Sequence, residues 1–204
     1  MNFRSRLQAI KDECNRREAL REKTKSEIEV LKEASTKLQE KIEIAEKSKI
    51  IVSDISVSAK KNAVSFLEKV VTDAIQYIAG SNYRFEIDLD DSGKNIKCEF
   101  YIVEIVNGVE SKQTPKDSCG GGFVDIISTA LRYAYVNLYN KPKLMGWMML
   151  DEPGKMVSAN MSAKFGEFIK QLGKDFDRQT IMVTHNPNLL SIADNFITIN
   201  KGGN

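Results

Sequence analysis

Leu144-Met145-Gly146-Trp147-Met148-Met149-Leu150-Asp151-Glu152 is an apolar run, interrupted only by Gly146, that ends in two adjacent acids. A run of this length and character predicts a buried parallel strand, with Trp147 and the methionines in the core. Ending such a strand in two carboxylates is costly unless they bind something. In open α/β sheets the carboxyl ends of the strands are where ligands bind. Downstream, a helix is predicted over 161–172, a strand over Thr180–Thr184, a short helix after Pro187 and a strand over Phe196–Ile199. Strands alternating with helices predict right-handed crossovers and a parallel sheet.

Upstream of the acidic strand lies Ser118-Cys119-Gly120-Gly121-Gly122, followed by a predicted helix from about Phe123 to Tyr139. Consecutive glycines let a backbone approach an anion closely, and a helix start offers N–H donors. Asp125 in the first turns of that helix suits its electrostatics and needs no other role, and Arg132 further along suits a structural ion pair. Earlier still, Phe85, Ile87 and Leu89 alternate, a turn follows at Asp90–Asn95, and the run Ile96–Val106 completes a predicted hairpin. The stretch from there to the glycines reads as loop. Residues 60–80 read as a helix with Gly80, Ser81 and Asn82 as its stop.

Residues 1–75 contain no Pro and no Gly, while the four prolines and twelve glycines all lie later. A heptad seam runs Phe3, Leu7, Ile10, Cys14, Arg17, Arg21, Thr24, Ile28, Leu31, Ser35, Leu38, Ile42, Ala45, Lys49, Val52, apolar except at Arg17, Arg21, Thr24, Ser35 and Lys49. That pattern predicts a coiled coil with a weak middle, pairing with a helix of another chain. The expected organisation is a coiled-coil helix over 1–58 and an α/β lobe over 59–204.

The 204 residues carry 30 Lys+Arg against 28 Asp+Glu, a net charge of +2, which argues against a uniformly basic nucleic-acid-coating protein. No stretch has the roughly 18 uncharged apolar residues of a membrane span, so no membrane partner is expected. Cys14, Cys98 and Cys119 are too few and too scattered for a disulfide framework or a zinc site. The expected compartment is a reducing cytoplasm.

Apolar strand plus Asp-Glu is also the pattern of a Walker B motif. There the Asp holds Mg²⁺ and the Glu orients or deprotonates the attacking water. His185, the single histidine, follows the apolar strand and Thr184, where its imidazole could bond a phosphate oxygen.

The order of these motifs resembles the C-terminal lobe of ABC-type ATPase heads of the SMC/SbcC-like group, the coiled-coil ATPases of chromosome organisation and double-strand-break repair. It is most similar to the short SbcC-like ATPases of bacteria and phages. The resemblance implies the parallel-sheet half of such a head, and ATP and Mg²⁺ as cofactors. It makes Ser118, Gly120, Gly121 and Gly122 a signature that meets the nucleotide of an opposing head. It makes Asp151 the Mg²⁺ ligand, Glu152 the catalytic base, His185 the switch histidine, and Lys155–Asn160 a D-loop. In the family a Ser directly precedes two glycines; here Gly120 stands there and Ser118 lies two residues earlier. The D-loop position that usually carries Asp is Ser158.

The sequence contains no G-x-x-x-x-G-K-S/T, so the phosphate cradle, its lysine and its Mg²⁺ hydroxyl are missing. The resemblance implies that an N-terminal P-loop lobe completes the site, either from another polypeptide or from a longer chain of which this is part. The expected activity is ATP hydrolysis by a head–head dimer in DNA recombination, repair or replication. DNA and an SbcD-type nuclease are the implied partners, in the host cytoplasm if the protein is phage-encoded. The alternative is a non-catalytic coiled-coil interaction protein that keeps the head fold.

Overall fold

The structure, a computed structural model, describes residues 3–90, 97–118, 120–139 and 141–199, with the side chains of Lys116 and Ser118 excepted. The chain divides into two compact units, Met1–Ser58 and Ala59–Asn204.

Helix α1 spans Phe3–Ala79. Its first 75 positions have no helix breaker, and its Lys, Glu, Arg and Leu content has good intrinsic helix propensity. In the first unit the described residues are all exposed, including the seam residues Leu7, Leu31 and Leu38. Support along this stretch is local, from spaced side-chain pairs such as Arg17–Glu13 at 3.0 Å and Lys47–Glu43 at 2.6 Å. Exposed pairs of this kind contribute only about 0.3–0.5 kcal/mol each. The helix stops at Gly80, whose φ of +127° few other residues adopt.

In the second unit α1 buries Val71, Ala74, Ile75 and Ile78, one stripe at helical spacing. Against it lies a three-stranded antiparallel sheet of β1 (Tyr83–Asp90), β2 (Lys97–Val106) and β3 (Val109–Gln113), in the order β1-β2-β3. The turn predicted at Asp90–Asn95 lies mostly outside the described residues. The stretch read as loop contains β3, which pairs Val106 with Val109 across the two-residue turn Asn107-Gly108. Both turn residues have positive φ, 52° and 80°, as tight hairpin turns require.

The outer edge of β1 is closed by side chains of α1. Ile87 N donates to Glu68 Oε1 at 2.8 Å, Phe85 N to Thr72 Oγ1 at 3.0 Å, and Gln76 Nε2 donates to Tyr83 O at 2.9 Å. Four residues of helix rise about 6 Å and two residues of strand about 6.8 Å, so successive rungs stay in register. Thr72→Val keeps shape but leaves the Phe85 N–H without its acceptor. We expect a loss of about 1–3 kcal/mol, read as a lower denaturant midpoint at unchanged slope.

Helices α2 (Pro115–Ser118) and α3 (Gly121–Leu138) follow, and then β4 (Met148–Asp151), α4 (Ala159–Asp175), β5 (Thr180–Val183) and α5 (Pro187–Leu190). Strands β4 and β5 pair in parallel with Asp151 opposite Val183. The core joins the α1 stripe to Phe85, Ile102, Ile126, Tyr133, Phe165 and Leu150. Tyr133 ties α3 to β5 through a hydroxyl contact with Thr180 at 2.5 Å.

Three expectations need correction. The parallel sheet has two strands, and the larger sheet is antiparallel. Residues 196–199 form no strand and Ile197 is 91% exposed; a short apolar run does not make a strand without a neighbouring edge to bond. The 144–150 run is not buried on both faces. Leu150 is 3% exposed, but Met149 is 67% and Trp147 62% exposed, because β4 packs helices on one face only. Residues 144–147 precede the strand and are held by Arg178, which donates to Leu144 O at 2.6 Å and Gly146 O at 3.2 Å.

Candidate active site

The carboxyl ends of β4 and β5 lie side by side, so the residues that leave them meet. Asp151 ends β4 with an exposed side chain that makes no hydrogen bond among the described residues. At Glu152 the main chain still belongs to the ladder, its N–H donating to Val183 O at 2.8 Å. Its φ is +44°, a left-handed conformation that costs a non-glycine residue about 1–3 kcal/mol. The Glu152 carboxylate lies against the residue leaving β5: Oε1 is 2.9 Å from His185 Nδ1. The His185 side chain is 81% exposed, and Nε2 makes no hydrogen bond among the described residues. The ring therefore has one nitrogen on the carboxylate and the other toward solvent. An imidazolium held this way donates to Glu152 from Nδ1 and keeps Nε2–H for an anion.

The turn after β5 is fixed by Asn186. Its side chain accepts from Asn188 N at 3.0 Å, capping α5, and donates to Ser162 Oγ at 2.8 Å. Ser162 is buried at the start of α4, so this bond joins the turn after β5 to the first turn of α4. An Asn directly before Pro187 is a recognisable cap signal, but its partner 24 residues away is not.

The loop after Glu152 is drawn inward. Pro153, Gly154 and Val157 are buried, and Val157 N donates to Gly154 O at 2.9 Å. Asp125, on α3, accepts from Met156 N at 2.8 Å. It therefore has a role beyond helix electrostatics, anchoring this loop. Arg132 makes no ion pair among the described residues.

Gly121 and Gly122, the first residues of α3, pack against the same loop. A Cβ at Gly121 would lie 2.9 Å from the Met156 side chain, and one at Gly122 would lie 3.0 Å from Met156 O. Both glycines thus allow α3 to approach residues 156–157. Gly120 has open space around it, but its φ of +77° suits glycine. Cys119 and the Ser118 side chain lie outside the described residues. Ser158 stands at the N-cap of α4, where its hydroxyl donates to Asn160 Oδ1 at 2.5 Å and accepts no bond from the N–H groups of the helix start.

Glu152 and His185 are in contact, and Asp151 adjoins them. Gly121, Gly122 and Ser158 gather on the 153–158 loop, and no hydrogen bond among the described residues joins the glycines to Glu152 or His185. Among the described residues no group of three or more His, Cys, Asp or Glu could hold a metal. Asp151 offers one exposed carboxylate, and Mg²⁺ sites that hold phosphates take one or two from the protein.

No protein-family model matches the chain, and no curated protein matches it. Among solved structures it is similar to the Smc head domain of Pyrococcus furiosus with an extended coiled coil, bound to the C-terminal domain of ScpA. The TM-score is 0.48 at 12% identity, covering 72% of this chain and 36% of that chain. The chain thus spans about a third of the length of that structure's chain.

Proposed function

We propose that this chain supplies half of an ATP-hydrolysing site in a coiled-coil ATPase head. The observation that carries the reading is the Glu152–His185 contact of 2.9 Å at adjoining strand ends, beside an exposed Asp151 carboxylate that makes no hydrogen bond among the described residues. Glu152 would take the proton of the attacking water. Its carboxylate is fixed on one side by His185 and on the other by a main chain bonded into the strand ladder. His185 would answer charge building on the transferred phosphoryl group from Nε2. Asp151 would hold Mg²⁺, and bound Mg²⁺–ATP supplies the electrophilic phosphorus and the leaving group.

A P-loop lobe, from another polypeptide or another part of a longer one, would cradle the phosphates. The glycine run would act on the nucleotide of a second head, with the D-loop around Ser158 close by. The seam of α1 would pair with a second helix and link hydrolysis to work on DNA or to a nuclease.

The 204-residue chain alone should bind Mg²⁺–ATP no tighter than about millimolar, because its sequence has no G-x-x-x-x-G-K-S/T to cradle the phosphates. Calorimetry reads this directly. Purification from the native source with associated proteins should recover a polypeptide bearing G-x-x-x-x-G-K-S/T beside a heptad helix. Micromolar ATP binding by the isolated chain would overturn the half-site reading.

A further inference from the structure

The two outer edges of the three-stranded sheet differ. On β1 the outward main-chain groups at Tyr83, Phe85 and Ile87 are met by Gln76, Thr72 and Glu68. On β3 none of the described residues meets them, and the whole strand is exposed. One bond decides which groups face out. Ile105 N donates to Asn82 O at 2.8 Å, so Ile105 turns its main chain toward β1. Alternation turns Glu104 and Val106 toward β3, where they bond Ser111 and Val109. The N–H and C=O groups of Glu110 and Lys112 therefore point away from the sheet.

A second copy of this edge fits in one antiparallel register. A two-fold axis between residues would set an outward group against an inward one, and no ladder would form. An axis on Glu110 or on Lys112 places like charges opposite each other, which is destabilising. An axis on Ser111 places Glu110 opposite Lys112 of the partner subunit, and Lys112 opposite Glu110 of the partner subunit. Each such pair is one whose main-chain groups face outward and can exchange both bonds. The side chains are already positioned: Arg84 donates to both Glu110 oxygens at 3.1 and 3.0 Å, and Lys112 lies 3.0 Å from Glu86. Pairing would join two such networks across the axis. A lysine on an edge ordinarily discourages strand addition; here its charge alternates with a glutamate in the one register that is self-complementary.

We propose that β3 is a homodimerisation edge, pairing antiparallel about Ser111 so that two three-stranded sheets become one. The inference is independent of the nucleotide-site reading. In a chain with Cys14, Cys98 and Cys119 replaced by Ser, Ser111→Cys should cross-link as a dimer under mild oxidation. Residues directly opposite in a non-bonded pair have Cα atoms about 4.5 Å apart, within disulfide reach. Gln113→Cys should not cross-link, because this register holds the two copies of position 113 about 13 Å apart. In sedimentation equilibrium of the full chain, Glu110→Lys should weaken dimerisation about tenfold or more by setting lysines opposite each other. Lys112→Pro removes an outward N–H that the β2 ladder does not use, and should abolish the dimer while the monomer stays folded. A monomer at all concentrations overturns the proposal. So does a dimer that cross-links equally at 113, or one that survives Glu110→Lys without cross-linking at 111, as pairing along the α1 seam would.

Discussion

Glu152→Gln should reduce ATP turnover of the completed head by about 10²–10⁴-fold, the usual worth of a positioned general base. Gln keeps the side-chain length and can still bond His185 Nδ1, so the local geometry survives while the proton acceptor is lost. The residue is partly exposed and outside the core, so the unfolding midpoint should stay within about a degree or two, as for surface substitutions. ATP binding should persist, because Asp151 and the phosphate cradle are untouched. Phosphate release and nucleotide binding measured on the same preparation separate these effects. Turnover within twofold of the parent would remove Glu152 from the role of base and leave the contact with His185 as a structural one.

Gly154→Ala should be the most damaging small change to stability. The backbone there has a φ of +72°, and an added Cβ would lie 2.4 Å from the Phe165 ring. Phe165 is fully buried on α4, so its ring must shift within the core to admit the methyl group. Left-handed strain of about 1–3 kcal/mol and overpacking of about 1–3 kcal/mol act together, so a loss near 4 kcal/mol is expected. For a chain of this size that lowers the melting temperature by about 8–16 °C. Gly108→Ala supplies the comparison, since its φ of +80° is similar but nothing lies within 4 Å of the added carbon. The difference between the two variants measures the packing contribution. Equal losses would mean that α4 yields to the new methyl group. Because Gly154 is two residues from Glu152, loosening the loop should also lower turnover in the assembled site.

The elements legible in the sequence were those with strong local signals. Helix α1 declared itself by its freedom from Gly and Pro, and α3 and α4 by their spacing of apolar residues. The carboxyl ends of β4 and β5 were legible because each apolar run stops abruptly at polar residues, Asp151 and Thr184. What failed was burial. A continuous apolar run carries no sign of whether one face or both are covered, so Trp147 and Met149 read as core. Strand β3 is Val-Glu-Ser-Lys-Gln, without apolar alternation, and only Asn107-Gly108 marks it as the return arm of a hairpin. Within the site, the acidic pair and His185 could be named, but their contact depends on β4 and β5 being neighbours. The Asp125–Met156 bond spans 31 residues and joins a helix to a loop, so no local pattern encodes it.

The rungs from α1 to β1 make sliding discontinuous. Glu68, Thr72 and Gln76 engage Ile87, Phe85 and Tyr83 in opposite chain directions. An axial pull on this part of the helix loads all of these bonds in shear at once, whereas a sideways pull would open them one by one. The next arrangement in which helix side chains again face outward strand groups lies a full step of about 6–7 Å away, close to one helical turn. Between those positions the N–H groups of Phe85 and Ile87 lose their partners together. The junction therefore acts as a mechanical detent: it holds against small axial forces and, when it gives, moves by a whole notch.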